Sequence, residues 1–286
     1  MAFLHRHRWL TPYLLLAPGL AWLALFFVVP LGFLGYQSLQ EQDVVTYETS
    51  FAWAWRNYWD ALSGNHEQLL RSFEYAAIAT VVALLISYPL AYWIAFRGGR
   101  WKNVLLLLII GPFFVTYLIR TLAWQTILAD QGPVIGFLRD VHLLAADGRL
   151  LDTTVSVVAG ITYNFLPFMA LPLYVALEQI DKSLVEASQD LYASRAKAFL
   201  RVTLPLSAPG VVAGTLLTFI PAAGDFINAQ LLGTPRQWMI GNVIQSKFLE
   251  LIDYPTAAAL SFVLMATIIV LIAVYVRVLG SEKLTG

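Results

Sequence analysis

The sequence predicts an all-α integral membrane protein with six transmembrane helices and both termini in the cytosol. Three observations carry this. The chain has 286 residues, of which 59% are hydrophobic and 13% charged, whereas a soluble domain holds about 25% charged residues. The apolar residues fall in six runs, 12–36, 75–96, 104–128, 153–177, 204–224 and 255–276, and among these only the third contains a fully charged side chain, Arg120. Each run reaches the ~20 residues a helix needs to cross the hydrocarbon core. In lipid the backbone must satisfy its own hydrogen bonds, so isolated spans of this kind are helices. The third observation is charge asymmetry. Eleven of the 18 Lys and Arg residues lie in the tails and in the second and fourth loops, six lie in the other three loops, and Arg120 lies within a span. By the positive-inside rule the first group faces the cytosol. Glu41, Asp43, Glu48, Asp60, Glu67 and Glu74 all precede the second span, on the outer side.

The elements follow in order. His5-Arg6-His7-Arg8 and the apolar run from Trp9 have the outline of a signal peptide. The run is too long for one and lacks a small-residue cleavage site before Gln40, so it reads as an uncleaved first span. Residues 40–72 form an outer interfacial segment rich in aromatics, Phe51, Trp53, Trp55, Tyr58 and Trp59. Its spacing fits either an interfacial amphipathic helix or a loop folded over the outer helix ends. Arg97-Gly98-Gly99-Arg100-Trp101-Lys102 is a short cytosolic turn between spans two and three. Asp130-Gln131-Gly132-Pro133 ends the third span, and Thr153-Thr154 can cap the fourth. Pro167 and Pro172 lie five residues apart in the fourth span and are expected to kink it sharply. The fifth span contains Gly210-Val211-Val212-Ala213-Gly214, a spacing that lets two helix backbones approach closely. Its expected meaning is packing within the chain.

Loop 178–203 is the most informative segment. Ser183-Leu184-Val185-Glu186 reads as a capping box, and Ser194 can cap a second short helix over 195–202. Two ordered helices with a turn near Tyr192-Ala193 would lie on the cytosolic face. Leu184, Val185, Ala187, Leu191 and Phe199 have no lipid to enter there and call for a partner surface.

Several functions are excluded or disfavoured. A net charge of zero gives no reason to expect nucleic acid. Cysteine is absent, so thiol chemistry is excluded. The four histidines, His5, His7, His66 and His142, lie outside the spans, and neither His-Glu-x-x-His nor Gly-x-Ser-x-Gly occurs. No metal site, cofactor or catalytic set is expected. The phosphate-binding pattern Gly-x-x-x-x-Gly-Lys-[Ser/Thr] is also missing, so the chain is not itself an ATPase.

Glu186-Ala187-Ser188, then Tyr192, then Val202-Thr203-Leu204-Pro205 resembles the EAA loop of permease subunits in ATP-binding-cassette importers. That pattern has Glu-Ala-Ala, three residues, Gly, a spacer, and an aliphatic residue before x-Leu-Pro. Two positions depart, Ser188 for alanine and Tyr192 for glycine. Glycine there permits a bend with positive φ. With tyrosine the bend is gentler, or positive φ is adopted at a cost. Gly111-Pro112-Phe113-Phe114, 117–121, Asp130-Gln131-Gly132, Leu166-Pro167-Phe168-Met169, 221–226, Leu231-Leu232-Gly233 and Met239-Ile240-Gly241-Asn242 are similar to spermidine/putrescine-type permeases, over roughly residues 70–275.

The resemblance implies the type I importer permease fold in a bacterial inner membrane. The implied partners are an ATPase dimer, a second permease that is a different chain, an extracytoplasmic solute-binding protein and membrane lipid. It implies a coupling role for Glu186, Ala187, Ser188, Asp190, Leu191, Tyr192, Ala193, Leu204 and Pro205. Solute-path candidates are Asp225, whose carboxylate beside aromatics suits a polyammonium solute, and Tyr117, Trp124, Tyr163 and Asn164. The alternative for Asp225 is a helix cap. Arg120, Gly210 and Gly214 read as structural, Arg120 through a salt bridge or carbonyl contact with Asp225 as candidate partner. The alternatives in function are the same importer carrying another organic solute, opine-like or otherwise, and a passive channel or secondary carrier.

Overall fold

A computed structural model of the chain describes residues 11–43, 45–145 and 147–279. His5, Arg6, His7, Arg8, Trp9 and Lys283, which enter the charge and leader arguments, lie outside the described residues. The elements in order are α1 (Thr11–Leu23), a π-helical turn (Ala24–Val28), α2 (Val29–Ser38), β1 (Gln40–Gln42), β2 (Thr49–Phe51), α3 (Arg56–Arg97), α4 (Lys102–Ile110), α5 (Tyr117–Leu128), α6 (Pro133–Asp140), α7 (Thr154–Glu178), α8 (Lys182–Asp190), α9 (Arg195–Ala198), α10 (Ala208–Ala223), α11 (Ile227–Leu232), α12 (Ile240–Gln245) and α13 (Tyr254–Leu279).

Four helical stretches are long and apolar enough to cross a membrane: Leu15–Ser38, Arg56–Arg97, Thr154–Glu178 and Tyr254–Val278. Two bent pairs raise the number to six, Gly99–Phe114 with Tyr117–Asp140 at 96° and Arg195–Leu206 with Ala208–Ala223 at 61°. The bends correct two of the sequence-based spans. The third does not run straight from 104 to 128. Pro112 sits in a 3-10 turn, Gly111–Phe114, and Val115 (φ −102°, ψ 135°) and Thr116 (φ −60°, ψ 147°) are extended. Their extended ψ ends the helical ladder after the last 3-10 bond, from the Val115 N–H to the Pro112 carbonyl, so α5 starts afresh in a new direction. The fifth span breaks at Ser207, between the turn Leu204–Leu206 and α10. The fourth span departs the other way: α7 is one helix through both Pro167 and Pro172. Thr153 caps it as expected, accepting from the Ser156 backbone N–H, and Ser156 completes the box.

The chain divides into two units, one within residues 1–64 and 244–263, the other within 65–243 and 264–286. In the first, residues 40–51 form an antiparallel hairpin with Gln40 opposite Phe51 and Gln42 opposite Thr49. Helix within 40–72 begins only at Arg56. Asn57 Nδ2 donates to the carbonyls of Ser38 and Gln40, satisfying acceptors freed where α2 ends. Tyr36, Phe51, Trp53, Trp55 and Tyr58 form a continuous run of ring contacts.

In the second unit the closest helix pair is α7 with α10. Gly210 and Gly214 face α7. A Cβ on Gly210 would lie 2.5 Å from Ala176 Cβ and 2.8 Å from the Pro172 carbonyl oxygen, and one on Gly214 would lie 2.9 Å from Met169 Sδ. Without a strong hydrophobic drive between helices in lipid, such close backbone contact is what holds them together. One core gathers Tyr75, Ala76, Ala79, Val157, Ile161, Phe165 and Leu232, and a separate one Ala91, Met169, Leu173, Leu177 and Ile180.

Glycine to alanine in a helix is ordinarily favourable by up to about 1 kcal/mol. Gly136 in α6 has nothing within 4 Å of a new Cβ, so Gly136→Ala should be neutral or slightly stabilising. Gly210→Ala should destabilise by about 1–3 kcal/mol through overpacking. Thermal midpoints of the detergent-solubilised protein test this, and equal midpoints for the two variants would refute the close-packing account.

Candidate functional site

Two polar constellations stand out. The first lies between α5, α7 and α11. Asp225 ends the segment after α10 and is 6% exposed. Its Oδ1 accepts from the backbone N–H of Ile227 (2.9 Å) and Asn228 (3.3 Å), and its Oδ2 accepts from the Tyr117 hydroxyl (2.9 Å) and Asn228 Nδ2 (2.5 Å). The sequence favours this local form because an aspartate side chain can bond backbone N–H groups two and three residues on. The network continues. Asn228 Oδ1 accepts from Thr121 Oγ1 (3.4 Å) and Asn164 Nδ2 (3.2 Å), and Asn164 Nδ2 also donates to Thr121 Oγ1 (3.2 Å). Thus Asp225, Tyr117 and Asn164 are brought together. Asn228 and Thr121, which the sequence reading missed, connect them. The available signal was an Asn three residues after a lone Asp in an otherwise uncharged stretch.

Trp124 and Tyr163 are elsewhere. Their rings meet edge to face at 5.4 Å and both line a separate groove of about 620 Å³ with Ile78, Val82, Thr162 and Leu166. Arg120 is corrected. No ion pair joins it to Asp225 among the described residues, whose carboxylate oxygens already have four donors. Its guanidinium carbon lies 5.5 Å from the Phe113 ring centroid and 5.6 Å from that of Tyr117, within cation–π range. Nε and Nη1 are buried without a hydrogen-bond partner.

The second constellation is the loop after α7. Its first helix is capped by Asp181, not Ser183: Asp181 Oδ1 accepts from the Ser183 backbone N–H at 2.9 Å, and α8 begins at Lys182. The expected box at Ser183 and Glu186 therefore starts two residues late. The same backbone bond lowers the Asp181 pKa. The charged form is thus favoured, and this contribution is present above the ordinary carboxylate range and lost as pH falls through the lowered value. Glu186, Ala187 and Asp190 are exposed on α8, and Ser188 Oγ donates back to the Val185 carbonyl at 2.7 Å. The helix ends in a left-handed residue, Tyr192, at φ 61°. The Ala193 N–H bonds the Ser188 carbonyl and the Leu191 N–H that of Ala187, closing the end as a glycine would. Tyrosine thus adopts the positive φ instead of softening the bend. Ser194 then caps α9 through the Lys197 N–H, and Ala193 sits half-buried between them.

The apolar residues of the loop divide. Phe199 packs edge-on to Tyr88 and Tyr92, at 5.7 and 5.9 Å, and Val185 joins the core around Leu177 and Ile180. These two need no external partner, contrary to expectation. Leu184 is half exposed, Leu191 is 83% exposed and Tyr192 98%. Leu204 and Pro205 begin the turn that leads into α10, where the Tyr88 hydroxyl and Ser207 Oγ share a 2.7 Å bond. A ring-anchored loop with a bare apolar tip has the form of a docking element.

Residues 83–279 match the model of the binding-protein-dependent transport system inner membrane component. The chain belongs to that family. It is therefore an inner-membrane transporter subunit, not an enzyme. It is 39% identical over 222 residues to a Haemophilus influenzae protein named spermidine/putrescine transport system permease protein PotB, covering 77% of this chain and 78% of that one. The Escherichia coli K12 protein of the same name is 36% identical over 258 residues, covering 90% and 93%. Two crystal structures of a bacterial alginate ABC importer, one in complex with an alginate-bound periplasmic protein, share the fold with TM-scores of 0.69 and 0.71 at 18% identity, over 99% of this chain and 98% and 97% of theirs.

Two outcomes follow from the local chemistry. Asp225→Ala strands the Tyr117 hydroxyl proton and two backbone N–H groups and leaves Asn228 Nδ2 only the Tyr117 oxygen to donate to, and should cost about 3 kcal/mol. Asp225→Asn keeps an acceptor for the backbone pair and should cost less. Equal thermal midpoints for the two variants would contradict the network. Tyr192→Gly removes a left-handed penalty of about 1–2 kcal/mol for an L-residue and should raise the midpoint or leave it unchanged; a clear drop would show that the tyrosine ring itself holds the tip.

Proposed function

We propose that the chain is the six-span permease subunit, with cytosolic termini, of an ATP-driven importer for polyamines of the spermidine/putrescine kind. The observation that carries the solute reading is the 36–39% identity to two proteins bearing that name over most of the chain. The exposed Leu191-Tyr192 tip supports a docked partner, an ATPase dimer that hydrolyses ATP on the cytosolic side. A second, different permease completes the path, and an extracytoplasmic solute-binding protein delivers the amine.

In this mechanism ATPase closure pushes α8 and α9. The push reaches the spans through Phe199 on Tyr88 and Tyr92 and through Pro205 into α10. ATP has to bind two states of the assembly unequally for this to switch the path. The five path residues then act as two groups. Trp124 and Tyr163 offer ring faces, which attract ammonium groups. Asp225, Tyr117 and Asn164 fix the wall of the path by holding α11 against α5 and α7.

The test is ATP-dependent uptake of radiolabelled putrescine and spermidine by proteoliposomes holding the complete system. Uptake that requires both ATP and the binding protein supports the reading. ATP hydrolysis stimulated by the binding protein without polyamine uptake would overturn the solute. Glu186→Lys inverts a charge on the exposed face of α8 and should reduce uptake at least tenfold at an unchanged amount of protein in the membrane. Normal uptake by that variant would remove α8 from the coupling role.

A further inference from the structure

The tip of the loop after α7 carries more than an exposed apolar end. Tyr192 is 98% exposed at φ 61°, a backbone form that glycine takes freely and that strains a residue with a side chain. So exposed a ring packs on nothing in its own chain, and the strain is not offset there. Strain of this kind clusters at functional positions. Leu191, beside it, is 83% exposed. The backbone beneath is closed: the N–H groups of Leu191 and Ala193 bond the carbonyls of Ala187 and Ser188 at 3.1 Å each. The ring is therefore presented from a fixed base, which lowers the ordering cost of a contact made with it.

The charges around the tip are an independent observation. Helix dipoles favour anions at the N-terminus and cations at the C-terminus. Here the order is reversed on both sides of the turn. Lys182 opens α8 and Asp190 closes it, while Arg195 and Lys197 open the helical stretch Arg195–Leu206. All four side chains are exposed, and none makes an ion pair among the described residues. Placed this way, the charges stabilise neither helix. Along the chain they put an anion before the apolar pair and two cations after it. An apolar centre with a rim of both signs is the make-up of a protein interface, where a buried Tyr is a common anchor and rim charges discriminate between partners. A membrane surface fits less well, because the cytosolic leaflet is anionic and repels Asp190.

We propose that Tyr192 selects the ATPase: its ring enters an apolar hollow on that subunit, whose rim is basic opposite Asp190 and acidic opposite Arg195 and Lys197. This role rests on the importer reading and deepens it, giving the chemistry of the site where the motor docks. The pattern that the loop resembles has glycine at this position and presents no ring. An ATPase shaped for glycine, without the hollow, is therefore refused by the side chain itself.

The test is the affinity of the permease pair in nanodiscs for its purified cognate ATPase, with uptake and ATP hydrolysis measured on the complete system. Tyr192→Gly and Tyr192→Asn both accept positive φ and both lose the ring. Each should bind the ATPase at least about tenfold more weakly, the scale of an interface hot spot. Tyr192→Phe keeps the ring and should lose no more than about fivefold, the scale of one hydrogen bond. Arg195→Gln with Lys197→Gln should weaken binding at low salt and flatten its salt dependence. An ATPase from an importer whose permease has glycine here should bind Tyr192→Gly more tightly than wild type, and equal binding to both would overturn the selecting role. Undiminished cognate binding by the two ringless variants overturns the anchor and leaves the importer reading intact. Weakening by Tyr192→Gly alone also overturns it, because backbone freedom and not the ring would then be the cause. A ring effect that vanishes in nanodiscs without anionic lipid makes the tip a membrane anchor, with the same consequence. Wild type that binds no ATPase and takes up solute without ATP refutes the importer reading instead.

Discussion

The fold depends on hydrogen-bonding backbone that leaves the helix. Within a bilayer, irregular chain is tolerated only where protein satisfies its N–H and C=O groups. The stretch from Asp225 to Asn242 is broken into short helical pieces with irregular joints, and side chains within it and from the rest of its unit bond the backbone groups that those joints leave over. Asp225 takes the first N–H groups of α11, Ser156 and Gln125 donate to the carbonyls of Leu232 and Leu231, and Asn242 donates to that of Phe226. Ser72 accepts from the Ile240 N–H and Arg71 donates to the Trp238 carbonyl. These bonds seat α11 against α5 and α7, and Gly160 leaves room for Asn228, since a Cβ there would lie 2.6 Å from Asn228 Oδ1. Such interhelical bonds are worth about 1 kcal/mol each, but losing one leaves a buried group with nothing to replace it.

The loop after α7 is built differently. Phe199 and Val185 turn inward, and the left-handed Tyr192 projects the tip outward. A non-glycine residue at positive φ is uncommon, and strain of this kind persists only where surrounding structure fixes it. Here the Asp181 and Ser194 caps fix the helices on either side. The resulting surface is rigid at its base and apolar at its end, a combination suited to transmitting a push.

The sequence makes some of this legible and hides the rest for physical reasons. The apolar runs locate the four long helices and the two bent pairs that can cross a membrane, because burial in lipid needs length and little else. Thr153, Ser194 and the Gly210–Gly214 spacing announce their roles because a cap or a close approach is a local requirement. The bend after Pro112 is not legible, since a proline in a membrane helix can be absorbed, as Pro167 and Pro172 are in α7. The hairpin at 40–51 escapes because three-residue strands show no period. The site is half legible: Asp225 stands out as a lone charge, yet its partners Asn228 and Thr121 are ordinary polar residues until the fold brings them within reach. Arg120 misleads for the same reason, since its ring contacts cannot be read from spacing.

The central claim is that the tip after α8 is where a separate motor grips this chain. The sequence has no cysteine, so Leu191→Cys introduces a unique attachment point for a photo-crosslinker. With the cognate ATPase co-expressed and the complex assembled, irradiation should yield one adduct, to the ATPase subunit. An assembled complex in which position 191 crosslinks only to lipid or to this chain itself, while a probe elsewhere captures the ATPase, would contradict the account.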